Sequence, residues 1–182
     1  VQTCALPIYI DFYLTTMLQK ELTQIDKKSK NIKISLYHGG FKNDFFENKY
    51  INTNNFTFNI QDFENLYDIV LMGDIHCRKI YPSKILIQHA GSLLQLKSDE
   101  SQNKGYIITD VINKTSTEIN VDNNYGIVTI DVDKHGKYNL DINKLPDNID
   151  LRIKGLLIKD EIIKEIKNKI YLYISQSDPT LP

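Results

Sequence analysis

The chain has 182 residues and a net charge of −1, so it is long enough to bury a real hydrophobic core but carries no overall positive charge. This excludes binding to nucleic acid through a general electrostatic coat, although positive charge can still be concentrated at one site. No apolar run approaches the roughly 20 residues that span a membrane, and we expect no membrane partner.

The first eight residues, VQTCALPI, differ in composition from the rest of the chain. They hold one of the two alanines and one of the two cysteines, and they read as the in-frame translation of a common sequencing-library adapter. We interpret residues 1–8 as an adapter scar and exclude them from the fold prediction. The alternative is that they form a genuine first strand. Cys77 would then be the one native cysteine. A lone thiol indicates a reducing location, the cytoplasm or the inside of a host cell for a phage or viral protein.

The first part of the chain predicts a helix, a strand and a long excursion. Residues 10–27 place apolar side chains at helical spacings and predict an amphipathic helix. Ile32–Tyr37 alternates between apolar and polar residues and predicts a strand that ends at His38. Residues 42–60 are weakly patterned, which indicates a loop with a short strand at FTFNI. QDFENL predicts a helical turn after it.

The remainder of the chain is rich in predicted strands. YDIVLMG, KILIQHAGS and GYIITDV each predict a strand, and STEINV with GIVTIDVD predicts a hairpin. After a boundary near residue 146, DLRIKGLLI predicts a strand and KDEIIKEIKNKIYLYI predicts a helix with isoleucines on one face. The order of elements predicts a layered α/β sheet whose final strands pair as hairpins.

Two of these strands end in side chains that can bind metal ions. Ile32–Tyr37 ends at His38, and Ile69–Met72 is followed closely by Asp74 and His76. Functional groups of open α/β sheets collect beyond the carboxyl ends of the strands, and residues i and i+2 of extended backbone face the same side. A carboxylate with imidazoles suits Mn²⁺, Fe²⁺ or Zn²⁺. A lone histidine after a strand is more often a polar cap, so a structural role stays open.

Four motifs in order resemble the end of the calcineurin-like metallophosphoesterase domain. The resemblance is to its DNA-repair exonuclease branch, the SbcD-type nuclease subunit with its phage and viral relatives. The motifs are Gly73-Asp74-Ile75-His76, His89-Ala90-Gly91-Ser92, Asp99-Glu100 and Lys104-Gly105. The segment ISLYHGG resembles the preceding metal-histidine motif of that family, and the similarity covers roughly residues 30–112.

The resemblance implies a site for two divalent metal ions that hydrolyses phosphodiester bonds in DNA. His38 and Asp74 would bind the second metal and His76 the first, while Gly91 and Ser92 would shape the loop bordering the site. Asp74 stands where many relatives have histidine. An oxygen ligand favours a harder ion such as Mn²⁺, with Mg²⁺, Fe²⁺ and Zn²⁺ as alternatives.

The resemblance also implies that parts of the site lie upstream of this chain. The Asp-x-His, bridging Asp and Asn-His motifs of the family, and its general-acid histidine, have no counterpart between Ile10 and Asn31. Residues 9–145 would be the C-terminal part of a metallophosphoesterase sandwich. Residues 146–182 would be the start of a small α+β capping domain, with a generic βα unit as the alternative. We therefore expect metal binding by the fragment to be abolished or greatly weakened, and the fragment to be inactive alone.

The partners implied by the resemblance are DNA and the coiled-coil ATPase subunit of a double-strand-break repair or recombination complex. A homodimer formed through upstream sequence stays open. Two other functions remain as alternatives. One is a metallophosphoesterase that acts on small phosphoesters or phosphoproteins, and the other is a non-catalytic, β-rich binding module.

Overall fold

The structure is a computed structural model that describes residues 8–42, 45–46, 49–50, 56–156 and 158–177. Apart from Ile8, the residues interpreted as an adapter scar lie outside the described residues. The chain divides into two compact units. The first contains the chain up to Leu93 together with Asn103–Val121, and the second contains Leu94–Gln102 and the chain from Asp122 onward.

The first unit is built on a five-stranded sheet. Its elements in chain order are β1 (Ile10–Thr16), β2 (Ile32–His38), the short pair β3 (Phe45–Phe46) and β4 (Lys49–Tyr50), α1 (Ile60–Glu64), β5 (Ile69–Gly73), β6 (Lys79–Ile80), β7 (Leu86–His89), β8 (Gly105–Asp110) and β9 (Thr115–Asn120). The sheet has the order β1-β2-β5-β7-β6, in which the first four strands are parallel and β6 is antiparallel. The carboxyl ends of four strands therefore lie at one edge.

An aromatic core covers one face of this sheet. Its buried members are Tyr37, Phe41, Phe58, Phe63, Tyr67, Val70, Met72, Tyr81 and Ile87. α1 contributes Phe63, and its first turn is capped because the Asn59 N–H donates to the Asp62 carboxylate at 2.7 Å. On the other face, the buried Gln88 side chain hydrogen-bonds to Thr109 and Ser116, which ties the β8–β9 hairpin to β7.

The predicted helix over residues 10–27 is wrong, because its first part is the edge strand β1. Ile10, Phe12 and Leu14 are apolar at every second position as well as at helical spacings, so the segment satisfies both periods. Ile, Phe, Tyr and Thr favour extended backbone, and parallel pairing with β2 over its whole length stabilises the strand. The strands predicted at β2, β5, β7 and β8, and the helical turn at α1, are confirmed.

The second unit combines β10 (Tyr125–Asp131), β11 (Asn148–Lys154) and α2 (Asp160–Ser177). Its core centres on Ile130, Val132, Ile166 and Ile170, which confirms the predicted apolar face of the C-terminal helix. The hairpin predicted from STEINV and GIVTIDVD is wrong. β9 pairs with β8, whereas β10 pairs with β11 in parallel. The boundary predicted near residue 146 falls inside this unit, between its two strands.

Taken together, the described residues form a mixed α/β structure that has more strands than helices. Among them, no helix combines the length and the apolar composition that crossing a bilayer requires.

Candidate metal site at the sheet edge

The candidate site lies at the carboxyl edge of the parallel strands. His38, the last residue of β2, is paired with Gly73, the last residue of β5. A Cβ atom at Gly73 would lie 3.4 Å from Cδ2 of His38, so the imidazole packs alongside this glycine. The N–H of Gly39 donates to the carbonyl oxygen of Gly73 at 3.3 Å and joins the two strand ends. The predicted ligand His38 is therefore a neighbour of the Gly73-Asp74 turn.

Asp74 follows β5 in an unusual backbone conformation. Its φ is +82°, in the left-handed region that residues other than glycine rarely adopt, and its side chain is exposed. Extended backbone therefore ends before Asp74, and the expectation that alternation carries Asp74 and His76 to one side does not hold. Strained residues of this kind cost about 1–3 kcal/mol and cluster at functional sites.

His76 is half-buried, and its backbone is held by three donors. Its carbonyl oxygen accepts from the Ser92 N–H at 3.2 Å, from Ser92 Oγ at 3.3 Å and from Lys104 Nζ at 3.1 Å. Ser92, predicted to border the site, thus contacts the backbone of a predicted ligand. Lys104 was noted in the sequence only as part of a motif, and its contact with His76 was not foreseen.

Gly91 is required by packing as well as by its backbone angle. Its φ is +77°, and a Cβ atom there would lie 2.9 Å from the backbone nitrogen of Arg78. Any larger residue would collide with the chain two residues after His76. Gly91 therefore allows the close approach of two backbone segments, and its role beside a metal site stays a prediction.

Arg78 ties the same loop to the β8–β9 hairpin. Its guanidinium donates to the carbonyl oxygen of Ile119 at 2.8 Å, to Asn103 Oδ1 at 3.1 Å and to Asn120 Oδ1. Sequence reasoning passed over Arg78, because its partners lie 25 to 42 residues away along the chain. The available signal was a charged residue two positions after the Gly73–His76 motif.

His89 is a further imidazole at this edge. It ends β7 opposite Met72 and is fully buried. The pKa of His89 is lowered from 6.5 to about 3, mainly by burial and to a smaller extent by the charges of Lys79 and His38. Its ring is therefore neutral near pH 7. In the sequence, His89 belongs to the His89-Ala90-Gly91-Ser92 motif and is not among the predicted site residues.

Tyr37 lies on the core side of the same strand end. Burial, with a smaller contribution from the Asp74 carboxylate, raises the pKa of Tyr37 to about 12. The phenol is therefore neutral, and its hydroxyl donates to the carbonyl oxygen of Gly40 at 2.9 Å. This bond fixes the turn that leaves β2 directly after His38.

The described residues do not form a complete metal site. Within them, no three His, Cys, Asp or Glu side chains lie close enough together to hold a metal ion by themselves. His38 and Asp74 do offer an imidazole and a carboxylate from exposed positions at one edge. This pair of donors fits divalent ions such as Mn²⁺.

Comparison with known proteins gives one informative similarity. No protein-family model matches the sequence. The chain is similar to the uncharacterized protein R555 of Acanthamoeba polyphaga mimivirus, with 31% identity over 134 residues, or 68% of this chain. The chain spans about a tenth of the length of that relative, 10%. The similarity therefore relates it to one segment of a much longer viral protein.

Proposed function

We propose that the chain is part of a two-metal-dependent phosphodiesterase that acts on DNA ends, with a calcineurin-like metallophosphoesterase sandwich as its fold. His38, Asp74 and His76 would be metal ligands in this enzyme. The observation that supports the proposal is the parallel pairing of β2 with β5, which brings His38 beside the Gly73-Asp74 turn. The other ligands of a two-metal centre would come from outside the described residues.

The chain's own residues suit this chemistry at the sheet edge. Bound divalent ions would supply Lewis acidity toward a phosphate oxygen and a hydroxide nucleophile. His38 offers an imidazole nitrogen and Asp74 a carboxylate, both at exposed positions open to an ion. His89 stays neutral near pH 7 because of its burial, so it adds no positive charge that would repel a cation.

DNA as substrate is supported by the motifs that favour the nuclease branch. Gly91-Ser92 and Lys104-Gly105 both contact the loop that carries His76, directly or through Arg78. Three of the four motifs, Gly73–His76, His89–Ser92 and Lys104-Gly105, therefore pack together in the first unit, whereas Asp99-Glu100 belongs to the second. A coiled-coil ATPase as partner and a location inside the cell belong to the same proposal.

Metal binding tests the proposal directly. The chain has four histidines, so the ring signals of a ¹⁵N-labelled sample can be followed individually during titration with Mn²⁺. We expect paramagnetic broadening of the rings of His38 and His76 at Mn²⁺ concentrations that leave the exposed His135 sharp. Asp74→Asn should weaken the response, whereas His135→Gln should not. Equal broadening of all four rings would contradict a site at the sheet edge.

Activity separates the proposed function from its alternatives. The 182 residues alone should hydrolyse neither linear duplex DNA nor p-nitrophenyl phosphate. A longer protein that joins this region to the upstream metallophosphoesterase motifs should cleave DNA with Mn²⁺. Preference for p-nitrophenyl phosphate would favour the enzyme for small phosphoesters, and no hydrolysis of either substrate would favour a binding module. Mn²⁺-dependent cleavage by the short chain would refute the idea of an incomplete site.

A further inference from the structure

Two separate segments of the chain donate hydrogen bonds to the carbonyl oxygen of His76. Ser92 contributes its backbone N–H and its hydroxyl, and Lys104 contributes its ammonium, all at 3.1 to 3.3 Å. Lys104 is only 3% exposed. Burial of a lysine is costly unless its ammonium is hydrogen-bonded, so the contact with His76 offsets a real desolvation cost.

The peptide unit that follows Lys104 is held by hydrogen bonds at both its carbonyl oxygen and its N–H. The N–H of Val121 donates to the Lys104 carbonyl oxygen at 2.9 Å, and the N–H of Gly105 donates to the Ser92 carbonyl oxygen at 3.4 Å. A side chain at Gly105 would overlap the Ile119 carbonyl oxygen, which already accepts from Arg78. These contacts hold the backbone of Lys104 directly before β8, so the position from which its ammonium reaches His76 is fixed.

We infer that Lys104 and Ser92 are positioning residues that orient His76 toward the metal through its backbone. The inference rests on the proposed function of His76. A ligand held by outer contacts loses little conformational freedom when it binds an ion, and removing such contacts typically lowers metal affinity about 10- to 100-fold. Neither residue needs to touch the metal or the substrate.

A charge-removing variant tests this role against simple stabilisation. Lys104→Met keeps the length of the side chain and removes the ammonium. The Mn²⁺ concentration that half-broadens the His76 ring should rise about tenfold or more, while the His38 response changes much less. The matched control is Lys114→Met, which removes a lysine paired with Asp68 at the turn of the same hairpin. An equal shift at both rings would indicate general destabilisation and overturn the inference.

Two further measurements decide the matter if Lys104→Met does not fold. Ser92→Ala removes one donor and leaves the buried lysine intact, and it should shift the His76 response severalfold in the same direction. In the unaltered chain, the ¹⁵N ammonium signal of Lys104 should show a coupling across the hydrogen bond to the carbonyl carbon of His76. An unchanged His76 response in Ser92→Ala, or the lack of this coupling, would overturn the inference.

Failure of the inference and failure of the proposed function give different results. If neither the unaltered chain nor the longer protein shows selective broadening of His38 and His76 with Mn²⁺, the proposed metal site fails. If it shows that broadening and Lys104→Met responds identically, the metal site stands and the positioning role of Lys104 fails.

Discussion

Protonation of His89 should make the first unit unstable in mild acid. The native pKa of His89 is depressed to about 3, against 6.5 for an accessible histidine. The unfolded chain therefore takes up a proton as pH falls below about 6.5, while the folded chain does not. Stability is fully present above that pH and is lost progressively as the pH falls toward the native value. From the two pKa values, the loss between about pH 7.5 and pH 5 is about 2 kcal/mol.

His89→Gln provides the variant for this measurement, because glutamine is polar and does not titrate. The free energy of unfolding would be measured in urea at both pH values, from resolved NMR signals of β2, β5 and β7. We expect the difference between the two pH values to shrink by about 2 kcal/mol relative to the unaltered chain. His135→Gln, at an exposed turn position, should leave the pH dependence unchanged. If His89→Gln keeps the original pH dependence, another group is responsible and the assignment to His89 is wrong.

Three smaller predictions concern the turns at the sheet edge, each read from urea unfolding of the first unit. Asp74→Gly should be more stable than Asp74→Ala by about 1–2 kcal/mol, because glycine adopts a positive φ without strain. Gly91→Ala should cost about 1–3 kcal/mol, since its Cβ would collide with Arg78, and a neutral result would contradict the close approach. Tyr37→Phe should cost about 1 kcal/mol through loss of the hydrogen bond to Gly40, and a gain in stability would refute that contact.

Local patterning was enough to find the strands that form the candidate site. The apolar run of β5 and the alternation in β2 are signals carried by consecutive residues, and each strand ends within one residue of the predicted position. The parallel arrangement then follows from strand order, which brings His38 to Gly73. The proximity of His38 and Gly73 could be predicted from the sequence. It needs only the two-residue period of strands and the rule that functional groups collect at the carboxyl ends of parallel strands.

The failures arose where distant parts of the chain decide the structure. β1 satisfies helical and strand periods alike, and only its pairing with β2 selects the strand. β10 pairs with β11 rather than with its neighbour in sequence, so a rule for local hairpins could not find it. The contacts that hold His76 span 16 residues to Ser92 and 28 to Lys104, and no local pattern encodes them.

The packing of the motifs bears on the function of the carboxyl edge of the sheet. Gly91, Ser92 and Lys104 all have structural reasons to be present, because they hold the loop after β5 together. Packing is therefore a sufficient reason for the presence of these three residues. Asp74 is different, because it is exposed and strained at a position where glycine would be more stable. Among the residues that the structure describes, no hydrogen bond and no burial requires a carboxylate there. The metal hypothesis therefore depends most on Asp74, and the Mn²⁺ response of Asp74→Asn is its most direct test.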